Sequence, residues 1–595
     1  MRTVGETNTL IDCGLGKIPC DLVLKNVKLV NVCSKEIYET DIYIKGKRIV
    51  SIESGAKLKA EKEIDCGGLY AMPGFIDGHM HYSSSMINPE AMAQAIVPKG
   101  TTTLCVDFME ISNVTGGKVI DVMLENAEKL PYRIAVEVPT RVPTAPGLET
   151  TGEIIGVEET KSLLAREATI ALGEVAPAKI LFRNDDNIQK ICDAINMGKI
   201  VNGHAVGCNF QELTVYASAG ITDDHEPVEW EEFLNRLRLG MHVMVREGSG
   251  ARNLQTFVEN ALKLGYGFEN TFFCSDDKHV TDIEEEGHIN HNVNLAIKLG
   301  VKPMTAISMA TIHAAKHFRV EQDYGSVTPG RFADIILCES IENVQPRQVY
   351  FEGKKVFEKN VMPVEKIERV YPEWIKDTIH FKRPITPEVF QVKAPGKDSV
   401  TVNIAELVDD QIINKKKTIA LRVKDGLIMR DPQNDIMKFA CCERYGKNGN
   451  VNVAFVKNFT LKKGALAYSM SHNHQNVVVI GSNDEDMAVA VNEVARIKGG
   501  LVTVIDGKVI ASMSLKIGGM ISEELEAHTI ADQLTEMNKS AALTGCKLPA
   551  PFMTLSFIAH PAIPDLAPTD MGLIDVSKQQ FIPLIVKEEI STPVK

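Results

Sequence analysis

The stretch GFIDGHMH, residues 74–81, ends a short apolar run with two histidines that are separated by one residue. Side chains at positions i and i+2 of a strand point to the same side, so His79 and His81 can bind one ion together. The pattern therefore predicts a strand that carries two imidazole ligands at its carboxyl end.

Short apolar runs alternate with helical patterns between residues 71 and 320, which is typical of βα repeats around a parallel sheet. The runs predict eight strands, ending near His79, Asp107, Pro139, Glu174, His204, His225, Arg246 and Asp276. About 250 residues with eight such units predict a (β/α)8 barrel, whose active site lies where the strands end.

Further regions lie on both sides of the predicted barrel. Residues 1–70 and 321–370 contain strand pairs with turns at residues 45–47 and Gly353, which predict one small β-sheet domain built from both flanks. Residues 71–320 are the predicted catalytic barrel, and residues 371–595 are predicted to be a C-terminal α+β domain. A long amphipathic helix is predicted over residues 522–545, ended by Gly545. The predicted fold class is therefore α/β.

Composition narrows the class of partner. The 595 residues carry 65 Lys+Arg against 78 Asp+Glu, a net charge of -13, which argues against nucleic acid and anionic membranes as partners. The amino terminus lacks a secretory pattern and no stretch is apolar enough to span a membrane. The twelve cysteines include no Cys-x-x-Cys pair, and even the adjacent Cys441 and Cys442 favour reduced, mostly buried thiols. We expect a cytoplasmic protein.

Six of the eight predicted strand ends carry a side chain that can bind a metal or accept a proton. These side chains are His79 and His81, Asp107, Glu174, His204, His225 and Asp276. Each alone is more often a structural residue, but a group of carboxylates facing one barrel lumen needs cations to offset its burial. Imidazole with carboxylate suits Zn, Fe or Mn better than Ca or Mg.

The motif PGFIDGHMH, the downstream Asp276 and the closing PGRFADIIL of residues 329–337 resemble the amidohydrolase superfamily of metal-dependent barrel hydrolases. Within it, the chain resembles the bacterial adenine deaminases through AGITDDHE, CSDDKHVTDIEEEGHINH and, near the carboxyl end, NDEDMAVAVNEVARIKGGLV and LPAPFMTLSFIAHPAIPDL. The resembling stretches extend from about residue 70 to about residue 580. They include the third region, which is specific to the adenine deaminases.

The resemblance implies a two-metal site that functions with manganese or iron, with zinc as an alternative occupant. The implied metal ligands are His79, His81, Glu174 as the bridging carboxylate, His204, His225 and Asp276. A metal-activated hydroxide would attack C6 of adenine, with Asp276 and Glu174 as catalytic residues, and would release hypoxanthine and ammonia in purine salvage. Asp277 resembles a carboxylate that hydrogen-bonds a purine ring nitrogen, although a helix-capping acid is an equal alternative.

Three departures from the family pattern fall inside the implied site. Ser83 stands where the family has a glutamate, Met109 replaces a histidine, and Ala176-Pro177 replaces Met-Asn. Ser83 and Met109 are assigned to the substrate pocket, together with Glu110, Asp277 and Arg246. Either the protein handles adenine in an altered pocket, or it acts on a related aminopurine, a cyclic amide or another amino-heterocycle.

Other interpretations stay open at this level. A non-catalytic homologue that only binds a purine is the alternative from another class, although six intact ligands argue against it. Arg246 either contacts substrate or forms an ion pair at the barrel rim. His472 and His474 either close over the barrel mouth, bind an extra metal or, as the pattern favours, have a structural role between domains. A small heterocyclic substrate and a homo-oligomer, for example a dimer, are expected.

Overall fold

The chain begins with a helix and five strands that precede the barrel. The computed structural model describes residues 2–359, 361–362, 370–408, 413–563 and 565–586. The elements are α1 Val4–Gly14, β1 Cys20–Asn31, β2 Glu36–Lys45, β3 Arg48–Ser51, β4 Ala60–Asp65 and β5 Tyr70–Pro73. Thr3 and Glu6 form a capping box that fixes the start of α1.

Eight parallel strands then form the barrel, as the sequence predicts. They are β6 Phe75–His81, β7 Thr101–Asp107, β8 Arg133–Val138, β9 Thr169–Val175, β10 Ile200–Gly203, β11 Asp223–Asp224, β12 His242–Arg246 and β13 Thr271–Cys274. Strands β6 to β10 form one sheet and β11 to β13 another. The two sheets join where Thr222 N donates to Val201 O and where Asp276 N donates to His79 O.

Helices fill the intervals between these strands. They are α2 Pro89–Ile96, α3 Met109–Thr115, α4 Lys118–Ala127, α5 Val157–Leu164, α6 Pro177–Leu181, α7 Asp185–Asn196, α8 Phe210–Ser218, α9 Trp230–Arg238, α10 Leu254–Lys263, α11 Val280–Glu285, α12 Ile289–Lys298, α13 Pro303–Met309 and α14 Ile312–His317. Asn88 and Asn184 cap α2 and α7 with their side chains. These caps set where α2 and α7 begin. The loops that follow the strands surround their carboxyl ends.

The strands after the barrel return to the first sheet. β14 Ile335–Cys338, β15 Pro346–Phe351 and β16 Lys354–Glu358 join it in the order β16-β15-β14-β5-β1-β2-β3, with β4 beside β1. The turns predicted at residues 45–47 and Gly353 both connect antiparallel strands. One sheet is therefore built from both flanks of the barrel.

The third region is β-rich with three longer helices. It contains α15 Glu373–Lys376, β17 Ser399–Leu407, β18 Asn414–Lys424, β19 Leu427–Ile428, β20 Ile436–Cys442, β21 Val451–Lys457, β22 Ala465–Tyr468, β23 Val477–Gly481, α16 Asp484–Arg496, β24 Gly500–Ile505, β25 Lys508–Ser514, α17 Ala527–Ala542, α18 Pro551–Phe557, β26 Leu566–Thr569, β27 Gly572–Asp575 and β28 Gln580–Ile582. Strands β17 to β25 form a nine-stranded sheet. The exact domain boundaries remain a prediction.

One helix is shorter than the sequence predicts. The amphipathic pattern over residues 522–545 predicts one continuous helix, whereas α17 begins only at Ala527. Asn88 of the barrel explains the difference, because its side-chain amide donates to the carbonyls of Ser522 and Glu524. Those bonds hold the backbone before Ala527 outside the helix and fasten it to the barrel.

The third region packs over the carboxyl ends of the barrel strands. Its Asn473 donates to Thr144 Oγ1 and its Asn476 to the carbonyl of Thr150, both in the loop that follows β8.

Nine of the twelve cysteines are buried, including Cys441 and Cys442 in β20, and all twelve are free thiols. Among the described residues no helix is both long and apolar enough to cross a membrane.

Candidate metal centre and substrate cavity

The strand ends bring six metal-binding side chains into two groups that share one carboxylate. The first group contains His79, His81, Glu174 and Asp276, and the second contains Glu174, His204 and His225. Within each group the ligand atoms lie within 4.8 Å of one another, and all six residues are buried. The position of Glu174 in both groups is the one that a bridging ligand requires.

The two histidines of β6 both direct Nε2 toward Glu174. His79 Nε2 lies 3.1 Å and His81 Nε2 2.7 Å from Glu174 Oε1. On the other side of each ring a second carboxylate approaches Nδ1, at 2.6 Å from Glu137 to His79 and 3.1 Å from Glu110 to His81. A carboxylate on the far nitrogen of a ligating histidine fixes its tautomer and ring orientation.

The second group has a different neighbour. Glu226 Oε1 lies 2.9 Å from His204 Nδ1 and 3.3 Å from His225 Nε2. Arg246 Nη1 lies 3.0 Å from Glu226 Oε2 and 3.1 Å from Asp276 Oδ2. Burial alone would raise the pKa of Glu226, but Arg246 and His204 hold it well below its usual value. Glu226 therefore stays ionised beside the ligands, and Arg246 links the two groups as an ion pair.

Arg141, in the loop after β8, contacts the shared carboxylate itself. Its Nη2 donates to Glu174 Oε2, and the side chain is 2% exposed. Burial lowers the pKa of this guanidinium below its usual value, and the nearby carboxylates of Asp107 and Glu110 offset only part of that effect. Gly173 lies before Glu174, and a Cβ there would come 2.5 Å from Asp107 Oδ2, so only glycine lets these strands approach this closely.

The buried charges fit divalent cations. Six buried carboxylates, one half-buried carboxylate and two buried guanidinium groups lie together here, namely Asp107, Glu110, Glu137, Glu174, Glu226 and Asp276, then Asp277, then Arg141 and Arg246. His204 Nε2 and His225 Nδ1 lack a hydrogen-bond partner within the described residues. Unpaired imidazole nitrogens in a carboxylate-rich pocket are a donor set for Zn, Fe or Mn. The residues present therefore fit a binuclear metal centre.

A cavity opens above the ligands, with about 290 Å³ of empty space when the solvent at its mouth is included. From the barrel, its lining includes His81, Met109, Glu110, Arg141, Glu174, His204, Glu226, Arg246, Asp276 and Asp277. The third region contributes His472, Asn473, Phe557, His560 and Ile563. A planar heterocycle that enters this cavity therefore meets metal ligands on one side and the third region on the other.

Four of the five residues assigned to substrate line this cavity. Met109, Glu110, Arg246 and Asp277 do so, whereas Ser83 is fully buried and does not belong to the described lining. Its neighbour Ser84 reaches the site instead, since Ser84 Oγ donates to Asp277 Oδ1. Burial and the adjacent Asp276 raise the pKa of Asp277 to about 6.

The two histidines of the third region differ in surroundings. His474 Nδ1 accepts from Asn476 N, and its Nε2 lies 3.3 Å from the carbonyl of Ala559, away from the cavity. His472 lines the cavity, with Nε2 3.8 Å from Asp277 Oδ1. The structural role favoured for the pair suits His474, but His472 lies over the barrel mouth.

Several side chains at the site are not predicted by the sequence patterns. Glu137 lies two residues before the proline that was predicted to end its strand, and strand alternation places it inside the barrel with Ala135. Arg141 lies in a loop, where no periodic pattern indicates direction. Phe557 and His560 belong to another region of the chain, so only the tertiary contact between regions brings them to the cavity.

Comparisons with known proteins agree with this architecture. Residues 70–356 match the model of the amidohydrolase family, and residues 411–580 match the adenine deaminase C-terminal domain. The adenine deaminase of Desulforamulus reducens is 45% identical over 96% of this chain and 97% of that protein. The adenine deaminase of Methanococcoides burtonii is 38% identical over 95% of this chain and 96% of that protein.

Solved structures give weaker likenesses. A beta-aspartyl dipeptidase from Fervidobacterium islandicum AW-1 has a TM-score of 0.45 at 16% identity, covering 58% of this chain and 99% of that one. A D-aminoacylase has the same TM-score and identity, covering 58% and 98%.

The barrel, the paired ligand groups and the family match define a hydrolase of the amidohydrolase superfamily with a buried His/Glu/Asp metal site. Within that superfamily the chain belongs to the adenine deaminase family, because curated relatives match it over nearly its full length.

Proposed function

We propose that the protein hydrolyses adenine to hypoxanthine and ammonia. The observation that carries the proposal is the pair of ligand groups sharing Glu174 at the base of the cavity between the barrel and the third region. Family membership supports adenine as the substrate. An assay of ammonia release from adenine, with manganese or iron supplied, tests it directly.

In this proposal the two groups would hold two divalent ions, which are manganese or iron, with zinc as an alternative. His79, His81 and Asp276 would hold one ion and His204 and His225 the other, and Glu174 belongs to both groups. Two such ions, when bound, supply Lewis acidity that makes water nucleophilic near neutral pH. Glu137 and Glu110 orient the two histidines of β6.

The chain's own residues then move protons and hold the ring. Asp276 accepts a proton from the attacking water and passes it to the substrate. Asp277 hydrogen-bonds a ring nitrogen of the purine, and Met109 lies against the ring. Arg246 is ion-paired with both Glu226 and Asp276, which supports a role in positioning Asp276 over direct contact with substrate.

The runner-up is hydrolysis of another aminopurine, a cyclic amide or an amino-heterocycle on the same metals. The observation that favours it is Met109, which lines the cavity where the family has a histidine. A purine-binding protein without activity would have no need of two complete ligand groups. A panel of aminopurines, cyclic amides and lactams, assayed for ammonia release or ring opening, ranks these alternatives.

We expect activity to fall toward acid pH. Asp276 must be ionised to accept a proton, so protonation of the coupled site removes the base and lowers kcat/KM as the pH decreases. The apparent pKa belongs to the whole group and to no single residue. Rates measured between roughly pH 5 and 9 check this, and a flat profile with rate-limiting chemistry contradicts the mechanism.

Substrate choice is expected to depend on Met109 more than on Ser83. Met109→His should shift the ratio of kcat/KM toward adenine over the best alternative substrate, with metal content unchanged, because Met109 lines the cavity and is not a ligand. Ser83→Glu should mainly lower stability, since the new carboxylate would be buried at a fully buried position. The double variant completes the comparison. Equal ratios in wild type and all variants would show that neither position selects the ring.

The proposal also includes a homodimer in the cytoplasm. The acidic balance of the chain supports a protein that stays away from nucleic acid and anionic membrane surfaces. Light scattering of the purified protein measures the oligomeric state.

A further inference from the structure

The third region delivers a side chain to the cavity that the two-metal chemistry does not use. His472 is 4% exposed, lines the same cavity as His81 and Asp276, and has no hydrogen-bond partner for Nε2 among the described residues. A buried ring nitrogen without a partner is costly unless a ligand supplies one. The free nitrogen therefore indicates a contact with whatever fills the cavity.

The orientation of the ring is fixed on its other side. His472 Nδ1 lies 3.1 Å from Ser556 Oγ, and the His472 backbone N donates to the carbonyl of Ser556. The face of the ring stacks on Phe557, with centroids 4.1 Å apart and planes inclined by 9°. Helix α18, which carries Ser556 and Phe557, thus fixes the imidazole in one position.

The hydrogen bonds also decide which nitrogen carries the proton. Ser556 Oγ donates its single hydrogen to the carbonyl of Met553 at 2.7 Å. It therefore accepts from His472, so Nδ1 carries the hydrogen and Nε2 carries the lone pair. Burial lowers the pKa of His472 to about 4, which keeps the ring neutral near pH 7. Nε2 is a hydrogen-bond acceptor.

The neighbour of this acceptor defines what it meets. His472 Nε2 lies 3.8 Å from Asp277 Oδ1, too far for a hydrogen bond between them, and both residues line the cavity. One edge of adenine presents a ring nitrogen and the exocyclic amino group side by side. If Asp277 hydrogen-bonds the ring nitrogen, then His472 Nε2, the polar atom beside it on the cavity wall, faces the amino group.

We propose that His472 Nε2 accepts a hydrogen bond from an N–H of the substrate's exocyclic amino group and keeps this hydrogen bond as the group leaves. This inference rests on the proposed function and adds a specificity-determining residue from the third region. In the reaction the bond from C6 to the amino nitrogen breaks, a bond from C6 to the water oxygen forms, and the nitrogen takes one proton to leave as ammonia. The leaving group has N–H bonds throughout, so the acceptor stays paired.

The test compares a ligand that has the amino group with one that lacks it. In His472→Phe, the aromatic stack on Phe557 is kept and the acceptor is lost. In this variant the N–H of the substrate's amino group loses its acceptor. We therefore expect kcat/KM for adenine to fall about 5- to 150-fold, the usual effect of leaving a buried polar group unpaired. The Ki of unsubstituted purine, which has no amino group, should stay within about twofold, because that ligand never uses the acceptor.

His474→Phe is the matched control in the same segment. Both ring nitrogens of His474 are engaged inside the protein, so this change should lower Tm while leaving kcat/KM per folded, metal-loaded chain near wild type. Ser556→Ala provides a second variant that leaves His472 in place. Without the acceptor for Nδ1, the tautomer is no longer fixed, and adenine turnover should fall while the Ki of purine holds.

The outcomes separate the two proposals. If wild type does not deaminate adenine, the proposed function fails first. Suppose that wild type is active. If His472→Phe then impairs purine binding and adenine turnover by the same factor, or changes neither of them, the proposed contact with the amino group is overturned. Unchanged metal content in His472→Phe is required in every case, because His472 belongs to neither ligand group.

Discussion

Asp276→Asn is expected to lower turnover by several orders of magnitude. Asp276 belongs to the first ligand group and lies within 3.7 Å of the Nε2 atoms of His79 and His81. Burial opposes its ionisation, but His225 and Arg246 hold its pKa below the usual value, so it is a carboxylate before it accepts a proton. Proton transfer by a positioned group contributes ~100- to 10,000-fold, and the amide also weakens a metal ligand.

The measurement is kcat on metal-loaded enzyme, with metal content determined on the same sample. Asp486→Asn is the control, because Asp486 is also buried but lies in α16, where its carboxylate accepts from Gly507 N. That variant should lose stability and keep its turnover per folded chain. Turnover of Asp276→Asn within tenfold of wild type, about 1.4 kcal/mol, would remove Asp276 from proton transfer.

The barrel and its ligands could be predicted because both follow from local patterns. Alternating βα segments specify parallel strands, and parallel strands put all their carboxyl ends at one edge. The i, i+2 spacing of His79 and His81 and the positions of Glu174, His204 and Asp276 at their strand ends predict that these side chains lie together. The same pattern also includes Asp107, which belongs to neither ligand group, and the family resemblance was needed to leave it out.

Other parts depend on contacts that no local pattern encodes. Residues 522–526 have helical spacing, yet Asn88 holds this part of the backbone outside α17. Arg141 reaches Glu174 from a loop, and His472 reaches Asp277 from another region of the chain. Long-range docking decides such positions, so they emerge only from the structure.

Glu174→Gln is expected to lose metal as well as activity. Glu174 is the one residue in both ligand groups, and its oxygens lie within 3.1 Å of His79, His81 and His204. An amide oxygen carries no net charge, so it cannot offset two divalent ions as a carboxylate does. Arg141 makes the effect larger, since its guanidinium donates to Glu174 Oε2 and would face a neutral amide in the variant.

A graded series of three glutamates makes this expectation specific. Glu137→Gln keeps every ligand but weakens the contact that orients His79, so metal affinity should fall about 10- to 100-fold. Glu149→Gln should keep both ions, because Glu149 is buried in the barrel loop with its carboxylate accepting from Ala145 N and belongs to neither group. Metal content measured after gel filtration should therefore decrease from Glu149→Gln through Glu137→Gln to Glu174→Gln. Two ions per chain with wild-type turnover in Glu174→Gln would show that the two groups do not share this carboxylate as a bridge.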